Sequence, residues 1–174
     1  MPVREIVQMG DPRLRTPCSV VVDPCSPQVA AAVEDLKETL AHCRQTTTYG
    51  RAIAAPQIGV MARILFFNVD APWPLINPEI VERSDETMVV WDACLSFLCI
   101  FFQVMRHKWI KVRYQDVQGA WHEIRAEGDL SELLQHEIDH LDGILAIDRL
   151  ADIRTMCTRE EFERRFRAES PYAS

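Results

Sequence analysis

Between residues 28 and 44 the apolar positions Val29, Val33, Leu36, Leu40 and Cys43 recur at alternating four- and three-residue intervals, with Ser26 and Pro27 just ahead. That spacing predicts an amphipathic helix whose stripe packs on a core. Upstream, the turn residues Gly10, Asp11 and Pro12, followed by Pro17, Pro24 and Pro27, keep the chain irregular, so residues 1–26 read as a wrapping N-terminal arm. Beyond the helix, residues 64–69, 75–81, 87–91 and 108–114 are rich in β-branched and aromatic side chains and predict strands. A fifth run, 120–126, sets Ala120, Ile124 and Ala126 on one face and Glu123 and Arg125 on the other. Pro56 lacks an N–H and forbids a central strand position within residues 52–59. Neighbouring strands of this kind imply an α+β fold with mainly antiparallel or mixed sheets.

The next periodic segment carries chemistry. Asp129, with Glu132 three positions on, has the form of a helix N-cap, and Gly143 is placed to end that helix. Inside it stands His136-Glu137-Ile138-Asp139-His140, which sets two imidazoles one helical turn apart with a carboxylate beside them. This suits a divalent metal with a general base next to it. At about 100° per residue, Glu137 falls among Leu133, Leu134 and Leu141, where a carboxylate without a task is costly to bury. Ser131, Glu132, Gln135, Asp139 and Asp142 fall on the opposite arc, as solvated positions or supports of the ligands. The pattern HExxHxxGxxH would put a third histidine where Ala146 stands, and the later glutamates, in residues 160–169, lie in a terminal segment. Cys94, within Asp92-Ala93-Cys94-Leu95-Ser96, is the better candidate for the third ligand.

Composition narrows the class. The 174 residues, 48% hydrophobic and 26% charged, suffice for one domain spanning 1–174, without repeat, low-complexity tract or linker. A formal charge of −7 offers no basic field for nucleic acid or an anionic membrane. No segment approaches the roughly 20 apolar residues of a membrane span, and the first residues hold no signal-like apolar run, so a soluble protein of the cytoplasm is expected. Six irregularly spaced cysteines predict free thiols, mostly small buried hydrophobes, with Cys99 structural. Residues 150–174 read as a C-terminal helix and tail, the charged helix lying around residues 159–167 with Phe162 and Phe166 as an apolar i, i+4 pair.

Three stretches together resemble the peptide deformylase family. Residues 50–59 are similar to its G-x-G-[IL]-A-A-x-Q element, residues 92–96 to EGCLS, and residues 136–140 to HExDH. The resemblance implies sheets surrounding a central HExxH helix, with a metal held by Cys94, His136 and His140. It implies Fe2+ as that metal, with Zn2+, Ni2+ or Co2+ as substitutes; soft thiolate and imidazole donors disfavour only magnesium and calcium. The implied reaction removes formate from an N-formyl-methionyl peptide, the start of a nascent chain at the ribosome. Glu137 then serves as proton carrier, and the Gln57 side chain and the Leu95 backbone N–H serve as oxyanion donors. By the same resemblance Val90, Phe97, Phe101 and Leu133 form the methionine pocket, and Gly50, Arg51, Ala52 and Ala93 border the substrate backbone.

Departures from the pattern flank these groups. Asp92 stands in place of glutamate, one methylene shorter, with Arg106 as its partner by resemblance. Ala93 stands in place of glycine and is unfavourable if that backbone needs positive φ. Ala52 replaces a glycine and adds a methyl group at the cleft. The run Phe97-Leu98-Cys99-Ile100-Phe101-Phe102 is either a buried strand or an enlarged apolar pocket. These differences motivate a second reading, a deformylase-like peptide binder with weak or no turnover. A third reading, a zincin-type endopeptidase, would cleave unformylated peptides internally.

Overall fold

The computed structural model describes residues 3–169, so Met1, Pro2 and 170–174 of the expected arm and tail lie outside it. The first helix, α1 (Pro27–Thr47), starts where Ser26 accepts a hydrogen bond from the Val29 N–H and ends at Thr48 in the left-handed region. It buries Val29, Leu36, Leu40 and Cys43. Four strands follow: β1 (Ala52–Ala54), β2 (Ile64–Asn68), β3 (Pro72–Arg83) and β4 (Thr87–Asp92). Next come β5 (Ile100–His107), β6 (Trp109–Gln115), β7 (Trp121–Glu127), the helix α2 (Gly128–Leu141), β8 (Cys157–Thr158) and α3 (Arg159–Arg165). One sheet has the order β1-β2-β3-β6-β7 and the other β4-β5-β8. Every strand pairing in both is antiparallel, the α+β arrangement expected.

The larger sheet is covered on both faces, which explains why β2 is buried at four successive positions. Ile64 and Phe66 meet Leu36 and Leu40 of α1 together with Ile53. Leu65 and Phe67 point the other way, to Leu133, Leu134 and Ile138 of α2. Full burial of each such side chain stabilises the fold by about 1.5–3 kcal/mol, so this sandwich fixes α2 in place. The second sheet closes over the remaining side of α2 with a third cluster that includes Phe97, Phe102, Val104 and Leu145. The N-terminal arm straps the assembly: Val7 N–H donates to Gln57 O at 2.8 Å, Met9 N–H to Ser96 O at 2.9 Å, and Cys18 N–H to Leu141 O at 2.8 Å.

Several expectations need correction. Asp129 is not the N-cap: β7 runs straight into α2, Glu127 occupies the cap without a side-chain bond, and Gly128 makes the bend at φ 55°. Asp129 instead sits in the first turn, where its charge suits the helix dipole. The far end follows expectation: Gly143 at φ 73° lets Ile144 N–H reach Asp139 O at 2.9 Å, and Gly143 N–H reach His140 O at 3.3 Å. A Cβ at Gly143 would also stand 2.7 Å from the Arg15 carbonyl oxygen, so glycine is what lets the arm approach the helix end. Of the two readings given for the polar arc, solvation fails for Ser131, Glu132, Gln135 and Asp139, which are buried because α2 is enclosed on every side; only Asp142 of that group is exposed. Of the six free cysteines, Cys18, Cys43 and Cys94 are buried, whereas Cys25 and Cys99 are exposed and Cys157 is intermediate. The C-terminal helix starts at Arg159 as expected and ends at Arg165, with a 3-10 turn over Arg167–Glu169 after it.

Candidate active site

Three distant pieces of chain meet at α2. The helix presents His136 and His140 one turn apart, with ring centroids 5.1 Å from each other. Cys94 follows β4 and precedes the 3-10 turn Leu95–Phe97, and its Sγ lies 3.2 Å from His140 Nε2. Ligand atoms of Cys94, His136 and His140 all fall within 4.8 Å of one another, and all three residues are buried. Gln57 arrives from the 3-10 turn Ala55–Ile58 after β1. Its Oε1 accepts from Ala54 N–H at 2.9 Å, which turns Nε2 toward Cys94 Sγ at 3.4 Å and Ser96 Oγ at 3.3 Å.

A charged scaffold orients the imidazoles. His136 Nδ1 lies 2.9 Å from Asp92 Oδ1, which fixes Nδ1 as the protonated nitrogen and leaves Nε2 as a lone-pair donor. Arg106 donates to Asp92 at 3.2 Å and to Asp139 at 2.5 Å, and Arg149 holds the other Asp139 oxygen at 2.8 Å. The shorter Asp92 side chain thus reaches Arg106 directly. Burial works to raise the Asp92 carboxyl, but the His136 ring and the Arg106 guanidinium overcome it and hold it low. Burial also works to lower His136, yet Asp92 draws it well up, while burial and the neighbouring His136 push His140 well down. Burial pushes the Glu137 carboxyl up to about 7.

The site has the marks of a cation position. Glu137 Oε2 is a buried polar atom without a hydrogen-bond partner, a state that native interiors rarely leave unexplained, and His140 Nε2 faces the Cys94 sulfur. A thiol and two imidazoles at mutual contact distance, with a carboxylate beside them, match a three-ligand cation site whose fourth position is open to substrate. The donor set therefore fits a metal. A second buried group, Asp92, Glu132 and His136, also has its ligand atoms within 4.8 Å of one another. Its members are already paired, Asp92 with Arg106 and Glu132 with Arg51 at 2.8 Å.

A cavity of about 150 Å³ opens beside Glu137 and His136. Gly50, Arg51, Ala52, Ala93, Phe101 and Leu133 line it, together with Gln57 and Leu95. Val90 and Phe97 do not line it, in contrast to the sequence expectation. Val90 pairs with Val104 and packs in the third cluster. Phe97 stacks on Phe102 at 6.1 Å, because residues three apart share a face in a 3-10 turn and Leu95 and Leu98 take the cavity side. The apolar run after Cys94 thus divides: Phe97 closes a 3-10 turn, Ile100, Phe101 and Phe102 enter strand β5, and Leu98 and Phe101 line the cavity. Trp91, Tyr49, Glu132, Phe162 and Arg167 also line the cavity, and sequence reasoning did not place them there. Among the described residues only Thr48 and Asn77 combine a side chain with positive φ, so Ala93 carries no backbone penalty.

This architecture coincides with one known set of proteins: the family model described as polypeptide deformylase matches residues 3–156. This chain belongs to the polypeptide deformylase family. It is 38% identical over 152 residues to the peptide deformylase of Thermotoga neapolitana, covering 87% of this chain and 89% of that one. To the peptide deformylase of Bartonella tribocorum it is 38% identical over 173 residues, covering 95% and 94%. The crystal structure of peptide deformylase from Thermotoga maritima superposes with a TM-score of 0.81 at 37% identity, covering 87% of this chain and all of that one. That from Ehrlichia chaffeensis, in complex with actinonin, gives 0.80 at 34% identity, covering 89% and 92%. The chain is therefore a metal-dependent hydrolase of the deformylase type, acting on the formyl group of nascent peptides. Among the described residues no helix is long and apolar enough to cross a membrane.

Proposed function

We propose that Cys94, His136 and His140 hold one divalent cation and that Glu137, Gln57 and Leu95 carry out the hydrolysis of an N-formyl-methionyl amide at it. The observation that carries this reading is the convergence of one sulfur and two imidazole nitrogens within 4.8 Å, next to a cavity that Glu137 faces. When bound, such a cation supplies Lewis acidity, lowering the pKa of water toward neutrality. Glu137, whose Oε2 is unpartnered, takes the proton of the attacking water and returns it to the leaving amine. Gln57 Nε2, preset by its bond to Ala54, and the Leu95 N–H, first in its 3-10 turn and so without an acceptor inside it, donate to the developing oxyanion. Asp92 and Arg106 position His136, and Arg51, held by Glu132, stands with Gly50, Ala52 and Ala93 beside the substrate backbone.

Fe2+ is the first choice of metal on family resemblance, with Zn2+, Ni2+ and Co2+ compatible with the same donors. The substrate belongs to nascent chains, which places the protein in the cytoplasm with access to the ribosome, and residues 1–174 act as one domain. The experiment is release of formate from N-formyl-Met-Ala-Ser by metal-loaded protein, before and after chelation. Internal cleavage of an unformylated peptide would point to the endopeptidase reading, and peptide binding without formate to the non-catalytic one. Gln57→Leu, which removes one oxyanion donor while keeping volume, is expected to lower kcat by about 10²–10³ with little change in KM. Equal kcat in variant and parent, by the same formate assay, would remove Gln57 from the chemistry.

A further inference from the structure

The family match stops at residue 156, yet the wall of the cavity continues past it. Phe162 of α3 and Arg167 just after it both line the cavity. This segment is fastened to both rims. On one side β8 pairs with β5, Phe101 opposite Cys157, and Arg159 N–H donates to Cys99 O at 3.0 Å. On the other, Arg159 Nη2 donates to Thr47 O at 2.9 Å, and Tyr49 O–H reaches Glu163 at 3.2 Å. A seven-residue helix does not sustain itself in water, so these contacts hold α3 where it is.

Phe162 is the one buried residue of α3. Its ring stacks on Phe101 at 4.3 Å and meets Trp91 edge-on at 5.2 Å, and both partners also line the cavity. An otherwise charged helix thus inserts one aromatic plug into the substrate cleft. Trp91 and Phe101 share that wall with Leu133 and Glu137, so the plug bounds the same space that the reacting groups face.

We propose that residues 157–169 form a specificity wall of the cleft, with Phe162 setting the size of the substrate side chain admitted beside the scissile amide. The inference rests on the deformylase reading. It assigns to the native chain a preference for formyl peptides that begin with a slender side chain such as methionine, against those that begin with an aromatic one. Small differences in pocket volume discriminate by roughly 10–200-fold, which sets the scale of the effect.

The test compares kcat/KM for N-formyl-Met-Ala-Ser and N-formyl-Phe-Ala-Ser in the parent, Phe162→Ala and Phe162→Leu, with melting curves for each. The phenylalanine-to-methionine ratio is expected to rise at least tenfold in Phe162→Ala and several-fold in Phe162→Leu, which keeps an apolar contact if alanine unfolds α3. A folded variant slowed equally on both peptides, with the ratio unchanged, would overturn the proposal and leave Phe162 a packing residue. The same ratio, read calorimetrically as Kd for the product peptides Met-Ala-Ser and Phe-Ala-Ser, separates the two levels. Discrimination that shifts with Phe162 in a protein releasing no formate would sink the deformylase reading and keep the wall.

Discussion

Glu137→Gln is expected to lower formate release by about 10²–10⁴-fold while the protein keeps its full complement of metal. Glutamine preserves the shape of a side chain buried in the wall of the cavity but can neither take nor return a proton. None of the three proposed ligands is touched, so metal content measured on the same sample should match the parent. The buried carboxyl makes a second prediction at the same position. Its value in the metal-free fold, raised to about 7, means that ionisation opposes folding: the cost begins above the ordinary carboxylate range and is complete above pH 7. After chelation, Glu137→Gln should therefore be more stable than the parent at pH 8, by on the order of 3 kcal/mol, with the gap closing near pH 4. Unaltered turnover in the variant would exclude Glu137 from the chemistry, and equal melting at pH 8 would contradict the account of its burial.

Arg106→Met is expected to cost about 3–5 kcal/mol of stability. The guanidinium and both of its carboxylate partners are buried, and a methionine of similar bulk leaves Asp92 with the His136 ring alone and Asp139 with Arg149 alone. Arg149 still holds Asp139 from the outer side, so the loss concentrates on Asp92. Asp92 in turn sets the tautomer and orientation of His136, and loss of such a support typically weakens metal binding by about 10–100-fold. Urea unfolding and metal titration of the same variant check both halves. Destabilisation under about 1 kcal/mol would mean that the network adds little beyond its own desolvation.

Much of the site could be read from the chain because its chemistry is local in sequence. The pentapeptide at 136–140 sets two imidazoles and a carboxylate side by side through helical geometry alone, and the helix stop at Gly143 shows in its own turn. The polar residues of α2 escaped because a projection assumes one solvated face. Here sheets and the N-terminal arm enclose the helix, and Glu132 and Asp139 find their partners in Arg51, Arg106 and Arg149, none of which its own periodicity reveals. The cavity wall differs from the expected one at Phe97 for a related reason: a 3-10 turn after Cys94 sends Leu95 and Leu98, not Phe97, to the cavity. Phe162 and Phe166 were visible as an apolar pair, but their partner Trp91 lies far upstream, and only the tertiary fold joins them.

The chemistry requires one sulfur and two imidazoles to bind a single cation, and the anomalous-scattering map of a crystal of the metal-loaded protein tests it. One peak is expected, bonded to Cys94 Sγ, at about 2.3 Å for zinc, and to one nitrogen each of His136 and His140 at about 2.0–2.1 Å. A peak held instead by Asp92 and Glu132, with Cys94 outside bonding distance, would contradict it.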